Sequence, residues 1–209
     1  MRRNVLLTGF EPFDGASQNS SWALAQGLHG HALASGRIVQ AVQLPCRFGT
    51  ALQRLEAALQ DLRPSHILAM GQASARTSLS FERVALNWID ARIPDNDGLQ
   101  PVDVPVLPGA PAAYFSNLPI KTMVNAVRAA GLPAEVSYSA GSYVCNQVFY
   151  FLMHRLRSRS RARAGFLHVP ALEGGPSTLS LDDLQRGLLA ALEVLEQAET
   201  HAPGDGRTD

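Results

Sequence analysis

A cysteine occupies a chain position that favours nucleophilic chemistry. Cys145 ends the segment Ser-Ala-Gly-Ser-Tyr-Val-Cys, after a predicted strand and a glycine turn, and it begins a predicted apolar helix. The positive end of a helix and its unpaired amides favour the thiolate, so we expect a pKa below the value of about 8.5 of a free cysteine. The same amides can hold an oxyanion. A buried cysteine that fills a helix–sheet junction is the structural alternative.

Two further residues can complete a catalytic group with Cys145. His168 lies near the end of a predicted strand in Gly-Phe-Leu-His-Val-Pro, where an imidazole can take a proton from the thiol and return it to a leaving amine. Glu82 interrupts an otherwise apolar strand, and its carboxylate can orient the imidazole. The alternatives are a structural histidine and a salt bridge from Glu82 to Arg83 or Arg92.

Other candidate residues carry weaker signals. Phe10 and Phe13 lie on the loop after the first predicted strand, where ligands commonly bind, although a packing cluster under that loop is an equal alternative. Cys46 ends a strand without a helix start, and we interpret it as structural. His29 and His31 lack the further ligands that a zinc site needs, and we predict no metal site.

The chemistry-bearing residues are carried by alternating strands and helices. Apolar runs predict strands at residues 5–8, 38–44, 66–70, 134–138 and 165–169, and a further strand or hairpin arm at residues 79–89. Helical spacing predicts helices at residues 19–34, 48–62, 120–130, 145–156 and 181–198. This order is typical of an α/β fold with a mostly parallel sheet covered on both faces, and ligands bind beyond the carboxyl ends of such strands.

The domain organisation is simple. The length of 209 residues predicts one domain over residues 1–199, followed by a polar, disordered tail at residues 200–209. Residues 90–116 are rich in Pro, Gly, Asp and Asn, which predicts a long loop that is functional or mobile.

Composition narrows the classes of partner. The 18 basic and 18 acidic residues balance to zero formal charge, so we expect neither nucleic acid nor a membrane as partner. The arginines that alternate over residues 155–163 are interpreted as a solvated connection. No signal peptide and no transmembrane run is recognised, and two cysteines in a chain of this size suit a reduced, cytoplasmic setting. Walker, dinucleotide and zinc-protease motifs are missing, so no cofactor is expected.

Six segments of the sequence carry a family resemblance. They are TGFEPF (8–13), GQA (71–73), ERVALNWIDARIPDNDG (82–98), AYFSNLPIK (113–121), AGSYVCN (140–146) and GFLHVP (165–170). In this order they closely resemble pyrrolidone carboxyl peptidases, also called pyroglutamyl peptidase I. The resemblance implies a three-layer α/β/α sandwich, a homotetramer, and a cysteine peptidase with the triad Glu82, Cys145 and His168.

The resemblance also implies a substrate and its pocket. The substrates would be peptides with an N-terminal pyroglutamyl residue, and Arg92 would support the triad. The pocket would comprise Phe10, Phe13, Asn19, Gln72, Ile93, Tyr143 and Val144. A pyroglutamyl ring is a neutral lactam, so apolar walls with a few hydrogen-bond partners suit it, whereas a free N-terminal ammonium would be desolvated there without a partner.

Two residues depart from the family pattern. Asp14 stands where glycine is frequent, which puts the mobility of the preceding aromatic loop in question. Gln147 stands where histidine is frequent, close to Cys145. Two other functions stay open: a protein that binds pyroglutamyl peptides without turnover, and an unrelated hydrolase on the same sheet architecture.

Overall fold

The computed structural model describes residues 4–158 and 162–200. Within them the strands are β1 (Val5–Phe10), β2 (Val39–Leu44), β3 (His66–Gln72), β4 (Leu79–Glu82), β5 (Val84–Leu86), β6 (Ala113–Phe115), β7 (Ala134–Ser137) and β8 (Arg163–Val169). The helices are α1 (Ser20–Gly27), α2 (Thr50–Leu62), α3 (Ile120–Ala129), α4 (Val144–Leu156) and α5 (Leu181–Glu193).

Six of the strands form the central sheet, in the order β2-β1-β3-β8-β4-β7. The first four of these run parallel, whereas β4 is antiparallel to β8 and parallel to β7. Helices α1, α3 and α5 cover one face and α2 and α4 the other, each over its own apolar cluster. The predicted three-layer α/β/α sandwich with a mostly parallel sheet is therefore confirmed.

The central strands are apolar along their length because helices cover both of their faces. All six residues of β1 and all but the first of β8 are buried. Such strands show no alternation of polar and apolar residues. The runs that predicted β1, β2, β3 and β8 therefore placed these strands correctly to within a few residues.

The predicted strand at residues 79–89 is wrong in its extent. Arg83 separates β4, which belongs to the central sheet, from β5, which pairs with β6 in a separate antiparallel sheet. The predicted loop at residues 90–116 consequently contains β6, and Ile89 and Val104 form an isolated bridge. Local apolar patterns do not identify a strand's partner, and here the partner of β5 lies almost thirty residues away.

Further predictions concern the end of α1, the C-terminal tail and the arginine series. Helix α1 ends at Gly27, earlier than predicted, because the chain turns back so that Ala32 can pair with Ile38. Apart from Thr200, the predicted tail lies outside the described residues, as do Arg159 and Arg161 of the arginine series. In the part of the chain that the structure describes, no helix has the length and apolar character needed to cross a membrane.

Candidate active site

The candidate nucleophile lies against the carboxyl ends of two central strands. Cys145 is the second residue of α4, and Gly71 of β3 is the register partner of His168 of β8. A Cβ atom built on Gly71 would lie 2.6 Å from the Cys145 Sγ. Because glycine has no side chain, the start of α4 can approach the sheet this closely.

A buried carboxylate orients the imidazole. The His168 Nδ1 lies 2.7 Å from the Glu82 Oε1, and the Glu82 side chain is fully buried. An ionised carboxylate only accepts hydrogen bonds, so Nδ1 donates and Nε2 remains for another partner. Arg76 Nη1 lies 2.8 Å from the same Oε1. The salt bridges from Glu82 to Arg83 or Arg92 that remained open from sequence are replaced by a pair with Arg76.

Burial opposes charge on both candidate reacting groups. It is the main cause that raises the pKa of the Cys145 thiol well above its ordinary value, and Glu82 and Cys46 add to this, while Arg76 and the amide of Cys145 itself act in the opposite direction. Burial also lowers the pKa of His168, against the opposing effect of Glu82. Burial therefore favours a neutral thiol and a neutral imidazole, and it acts against the helix-start effect expected from sequence.

One cavity of about 150 Å³ joins the thiol and the imidazole to an apolar wall. Its lining consists of Phe10, Phe13, Asn19, Cys46, Gln72, Ala140, Tyr143, Cys145 and His168. The ring centroids of Phe13 and Tyr143 are 6.4 Å apart. Five of the seven pocket residues implied by the family resemblance therefore lie together around the candidate nucleophile.

The remaining implied residues lie outside this lining. Among the described residues, the cavity wall includes neither Arg92, Ile93 nor Val144. Arg92 is exposed and Ile93 half-buried on the segment between β5 and β6, and the Val144 side chain is fully buried in the core. The segment with Arg92 and Ile93 is nevertheless tied to the cavity, since the Tyr143 hydroxyl donates to the Pro94 carbonyl at 3.0 Å.

The two amide side chains in the cavity wall also hold the start of α1. Asn19 is the N-cap of this helix and accepts from the Ser21 amide at 3.0 Å, while its Nδ2 donates to the Glu11 carbonyl at 3.1 Å. Gln72 Oε1 accepts from the Ser20 amide at 2.9 Å. These bonds fix the position of both side chains at the edge of the cavity.

Cys46 and Ala140 belong to the cavity wall but were not predicted from sequence to do so. Burial raises the pKa of Cys46 to about 12, with a hydrogen bond to Tyr143 acting against it, so this thiol stays protonated. The two cysteines are both free. Cys46 follows its strand by two residues, and position at the carboxyl edge of the sheet is the signal that identifies it.

Asn146 anchors the start of α4 beside Cys145. Its side chain is fully buried, with Oδ1 accepting from the Leu86 amide at 2.9 Å and Nδ2 donating to the Trp88 carbonyl at 2.8 Å. Ser142 Oγ donates to the Asp90 carbonyl at 2.7 Å. The turn before Cys145 is thus fastened to the chain that follows β5, which sequence analysis did not identify.

The two departures from the family pattern have different structural consequences. Asp14 has a φ of 52°, in the left-handed region that glycine enters without steric cost. Gln147 is buried in α4, and its Oε1 has no hydrogen-bond partner within the described residues. No group of three or more potential metal ligands occurs in the described part of the chain.

Comparisons with known proteins agree with this geometry. Residues 3–198 match the model of the family described as pyroglutamyl peptidase. The chain is 48% identical to a pyrrolidone-carboxylate peptidase of Klebsiella pneumoniae (strain 342), with 98% of both chains covered. It is 47% identical to a protein of the same name from Gloeobacter violaceus, covering 93% of this chain and 98% of the other.

Solved structures show the same relationship. Pyroglutamyl peptidase I from Bacillus amyloliquefaciens aligns over all of both chains, with a TM-score of 0.90 and 39% identity. Pyrrolidone carboxyl peptidase from Thermococcus litoralis aligns with a TM-score of 0.90 and 32% identity, over 96% of this chain and 99% of the other. The expected family and the expected cysteine-type hydrolase are confirmed: the chain belongs to the pyroglutamyl peptidase family.

Proposed function

We propose that this protein hydrolyses the peptide bond that follows an N-terminal pyroglutamyl residue, with Cys145 as nucleophile, His168 as base and Glu82 as the group that orients the base. The observation that carries this proposal is the placement of Cys145 and His168 in one cavity, with the Glu82 carboxylate bonded to the far side of the imidazole. Family membership supports the substrate class.

Acylation begins with the neutral pair. His168 Nε2 takes the proton of the Cys145 thiol as the sulfur attacks the pyroglutamyl carbonyl, which forms a carbon–sulfur bond and an oxyanion. Amides of the first turn of α4 stabilise that oxyanion, and the side chain of the N-cap residue Tyr143 makes no capping hydrogen bond to them. Arg92 is proposed to support the same charge from the segment after β5.

The intermediate then collapses and releases the shortened peptide. The carbon–nitrogen bond breaks, and the imidazolium of His168 returns its proton to the leaving amine. The pyroglutamyl group remains on Cys145 as a thioester. Water, deprotonated by His168, attacks this thioester, and the products are free pyroglutamate and the regenerated thiol. Glu82 stabilises the imidazolium in both steps.

The cavity suits a small ring with a neutral polar edge. Phe10, Phe13 and Tyr143 give it apolar walls, and Asn19 and Gln72 place amide groups at its rim. We propose that Ile93 and Val144 complete the site from its margin. An uncyclised N-terminal residue would bring an ammonium group here, and the lining described offers no carboxylate to pair with it.

The assembly and setting are proposed to be those that the family resemblance implies, a homotetramer in the cytoplasm. Apolar side chains exposed on and beside the β5–β6 sheet support association, because surface patches of this kind commonly form interfaces. They are Leu86, Trp88, Val104 and Phe115, which are 37–67% exposed. Both cysteines are free thiols, which suits a reducing compartment.

The test is release of a chromophoric amine from a pyroglutamyl amide. We expect turnover by the wild type, no turnover of the matching prolyl amide, and a loss of at least about 1,000-fold in kcat for Cys145→Ala, as for other removed nucleophiles. Cys46→Ala is the matched control, since it removes the other thiol of the same cavity and leaves the nucleophile in place.

The outcomes separate this proposal from the two open alternatives. Full activity in Cys145→Ala would show that another group is the nucleophile. A wild type that binds a pyroglutamyl peptide without cleaving it, and binds equally well after thiol alkylation, would be a binding protein. Cleavage of other blocked N-termini but not of pyroglutamyl would indicate a different hydrolase.

A further inference from the structure

We infer that Arg76 is a positioning residue of this site, whose guanidinium holds Glu82 in place and offsets its charge so that His168 remains available as a base. The inference rests on the proposed function, because it assigns Arg76 a task within the same reaction. Arg76 lies on the loop between β3 and β4, and it does not line the cavity.

The contacts of Glu82 converge on one oxygen. Oε1 accepts from His168 Nδ1 at 2.7 Å, and it forms an ion pair with Arg76 Nη1 at 2.8 Å. The other oxygen, Oε2, is buried and has no hydrogen-bond partner in the described part of the chain. The Glu82 side chain is 0% exposed, so the charge of Arg76 and the hydrogen bond from His168 compensate for its loss of water.

The guanidinium also fixes the chain that leads to the nucleophile. Its Nη2 donates to the Ser139 carbonyl at 3.1 Å and to Ser137 Oγ at 3.3 Å. Ser137 ends β7, and the turn that follows leads into α4 and Cys145. The Arg76 amide donates to the Ala73 carbonyl at 3.0 Å, which holds the arginine's own loop. Arg76 therefore joins the carboxylate to two of the loops that frame the site.

The titratable and charged groups that face the Glu82–His168 pair come from three elements. Arg76 faces it from the β3–β4 loop and Cys145 from α4, with Cys46 beyond Cys145 after β2. The charge of Arg76 lowers the pKa of His168, whereas Glu82 raises it. The charge of Arg76 also lowers the pKa of Cys145. The first effect keeps the imidazole neutral, and so available as a base, at lower pH, and the second makes the thiol a better proton donor.

Loss of the guanidinium reverses this balance. Glu82 would then be a buried carboxylate that keeps only the hydrogen bond from a neutral imidazole and no opposite charge, so the coupled pair would take up a proton at a higher pH, whichever of the two side chains carried it. A pair that holds the extra proton has no base to offer Cys145. Activity is therefore lost mainly on the acidic side of the pH profile.

Four variants separate the effect of the Arg76 charge from the effects of its donor geometry and of its position beside Glu82. Arg76→Gln removes the charge, and Arg76→Lys keeps the charge without the forked donor. Arg83→Gln is the matched control, because Arg83 follows Glu82 directly and is 23% exposed against 25% for Arg76, yet it pairs with Glu199 at 3.7 Å. Ser137→Ala removes a contact of Arg76 that does not involve Glu82.

The measurements are kcat/KM for the pyroglutamyl amide as a function of pH, and the melting temperature of each variant. For Arg76→Gln we expect the acidic limb to move to higher pH, so that the loss in kcat/KM is at least about tenfold larger near pH 6 than near pH 8. Arg76→Lys should restore part of this difference. Arg83→Gln and Ser137→Ala should keep the acidic limb of the wild type.

A second measurement does not depend on activity. The imidazole NMR signals of His168, assigned with His168→Asn, should titrate at higher pH in Arg76→Gln than in the wild type. If the wild type had no peptidase activity, the proposed function would be wrong. The titration of His168 would still test whether Arg76 offsets the charge of Glu82. Equal losses of activity at every pH, together with an unchanged His168 titration, would overturn the inference and leave Arg76 a purely structural residue.

Discussion

At the scale of single residues, the site is defined by groups that burial keeps uncharged. Cys145 and His168 both have pKa values displaced in the direction that disfavours charge, with desolvation as the main cause. In the proposed mechanism the proton therefore moves from sulfur to nitrogen during attack, because burial disfavours a thiolate–imidazolium pair beforehand. Glu82 then stabilises the cation as it forms.

The pH dependence of alkylation tests this description of the thiol. Only the thiolate reacts with iodoacetamide, and the folded protein raises the pKa of Cys145. The alkylation rate at Cys145, followed by mass spectrometry, should therefore keep rising as the pH passes the ordinary thiol value of about 8.5. Cys145→Ala measures the background from Cys46, whose pKa is raised to about 12.

An alkylation rate that levels off at lower pH would contradict this description of the thiol. A rate that reached its plateau below about pH 8.5 would show that the helix start and His168 overcome desolvation and hold a thiolate in the resting protein. In that case proton transfer would precede attack, and the resting site would hold an ion pair in place of two neutral groups.

At the scale of elements, close contacts at two glycines bring the helices into position. A Cβ on Gly9 of β1 would lie 2.4 Å from the Ser21 carbonyl oxygen of α1. A Cβ on Gly71 of β3 would lie 2.6 Å from the Cys145 Sγ. The first contact places α1 beside the aromatic loop, and the second places Cys145 against β3, the strand that neighbours the strand of His168.

We expect Gly71→Ala to displace Cys145 and to lower kcat at least tenfold, as roughly ångström-scale misplacement of a reacting group does. Overpacking should also reduce the free energy of unfolding by about 1–3 kcal/mol. Steady-state kinetics and urea denaturation measure the two effects. Gly27→Ala is the control, since its Cβ would meet only the end of the flexible Gln185 side chain. Wild-type kcat in Gly71→Ala would show that the contact does not position the thiol.

At the scale of the whole molecule, one apolar surface is left without a covering element. Leu86 and Phe115 lie on the two strands of the β5–β6 sheet and are 40% and 67% exposed, while Ala85 between the outward residues is buried. This small sheet is separate from the central one. It therefore offers a surface for association without disturbing the three-layer core.

The assembly prediction is that the protein elutes as a tetramer. Light scattering should give a mass four times the 22.5 kDa of one chain. Phe115→Glu should yield smaller species, because a charge on the exposed apolar sheet must be desolvated on association. Tyr138→Glu alters a residue that is 53% exposed outside that sheet, and it should leave the mass unchanged. A monodisperse wild-type monomer would contradict the prediction.

The sequence by itself determined the alternation of strands and helices and identified the candidate reacting groups. Buried parallel strands are continuous apolar runs, so they can be located in the sequence without knowing which strands they pair with. Cys145 was identified as a candidate because it lies at a predicted helix start, and His168 because it lies near the end of a predicted strand. The ordered family segments added the substrate class and most of the cavity wall.

Only the tertiary structure decided which charges meet and how strongly burial acts on them. Arg83 is the neighbour of Glu82 in sequence, yet successive residues of an extended chain point to opposite sides, and Arg76 makes the contact instead. Likewise, the helix start that predicted an acidic Cys145 is a local feature, whereas the desolvation that outweighs it comes from the packing of distant segments. Such packing depends on which distant segments come together in the fold, and local sequence patterns do not predict that.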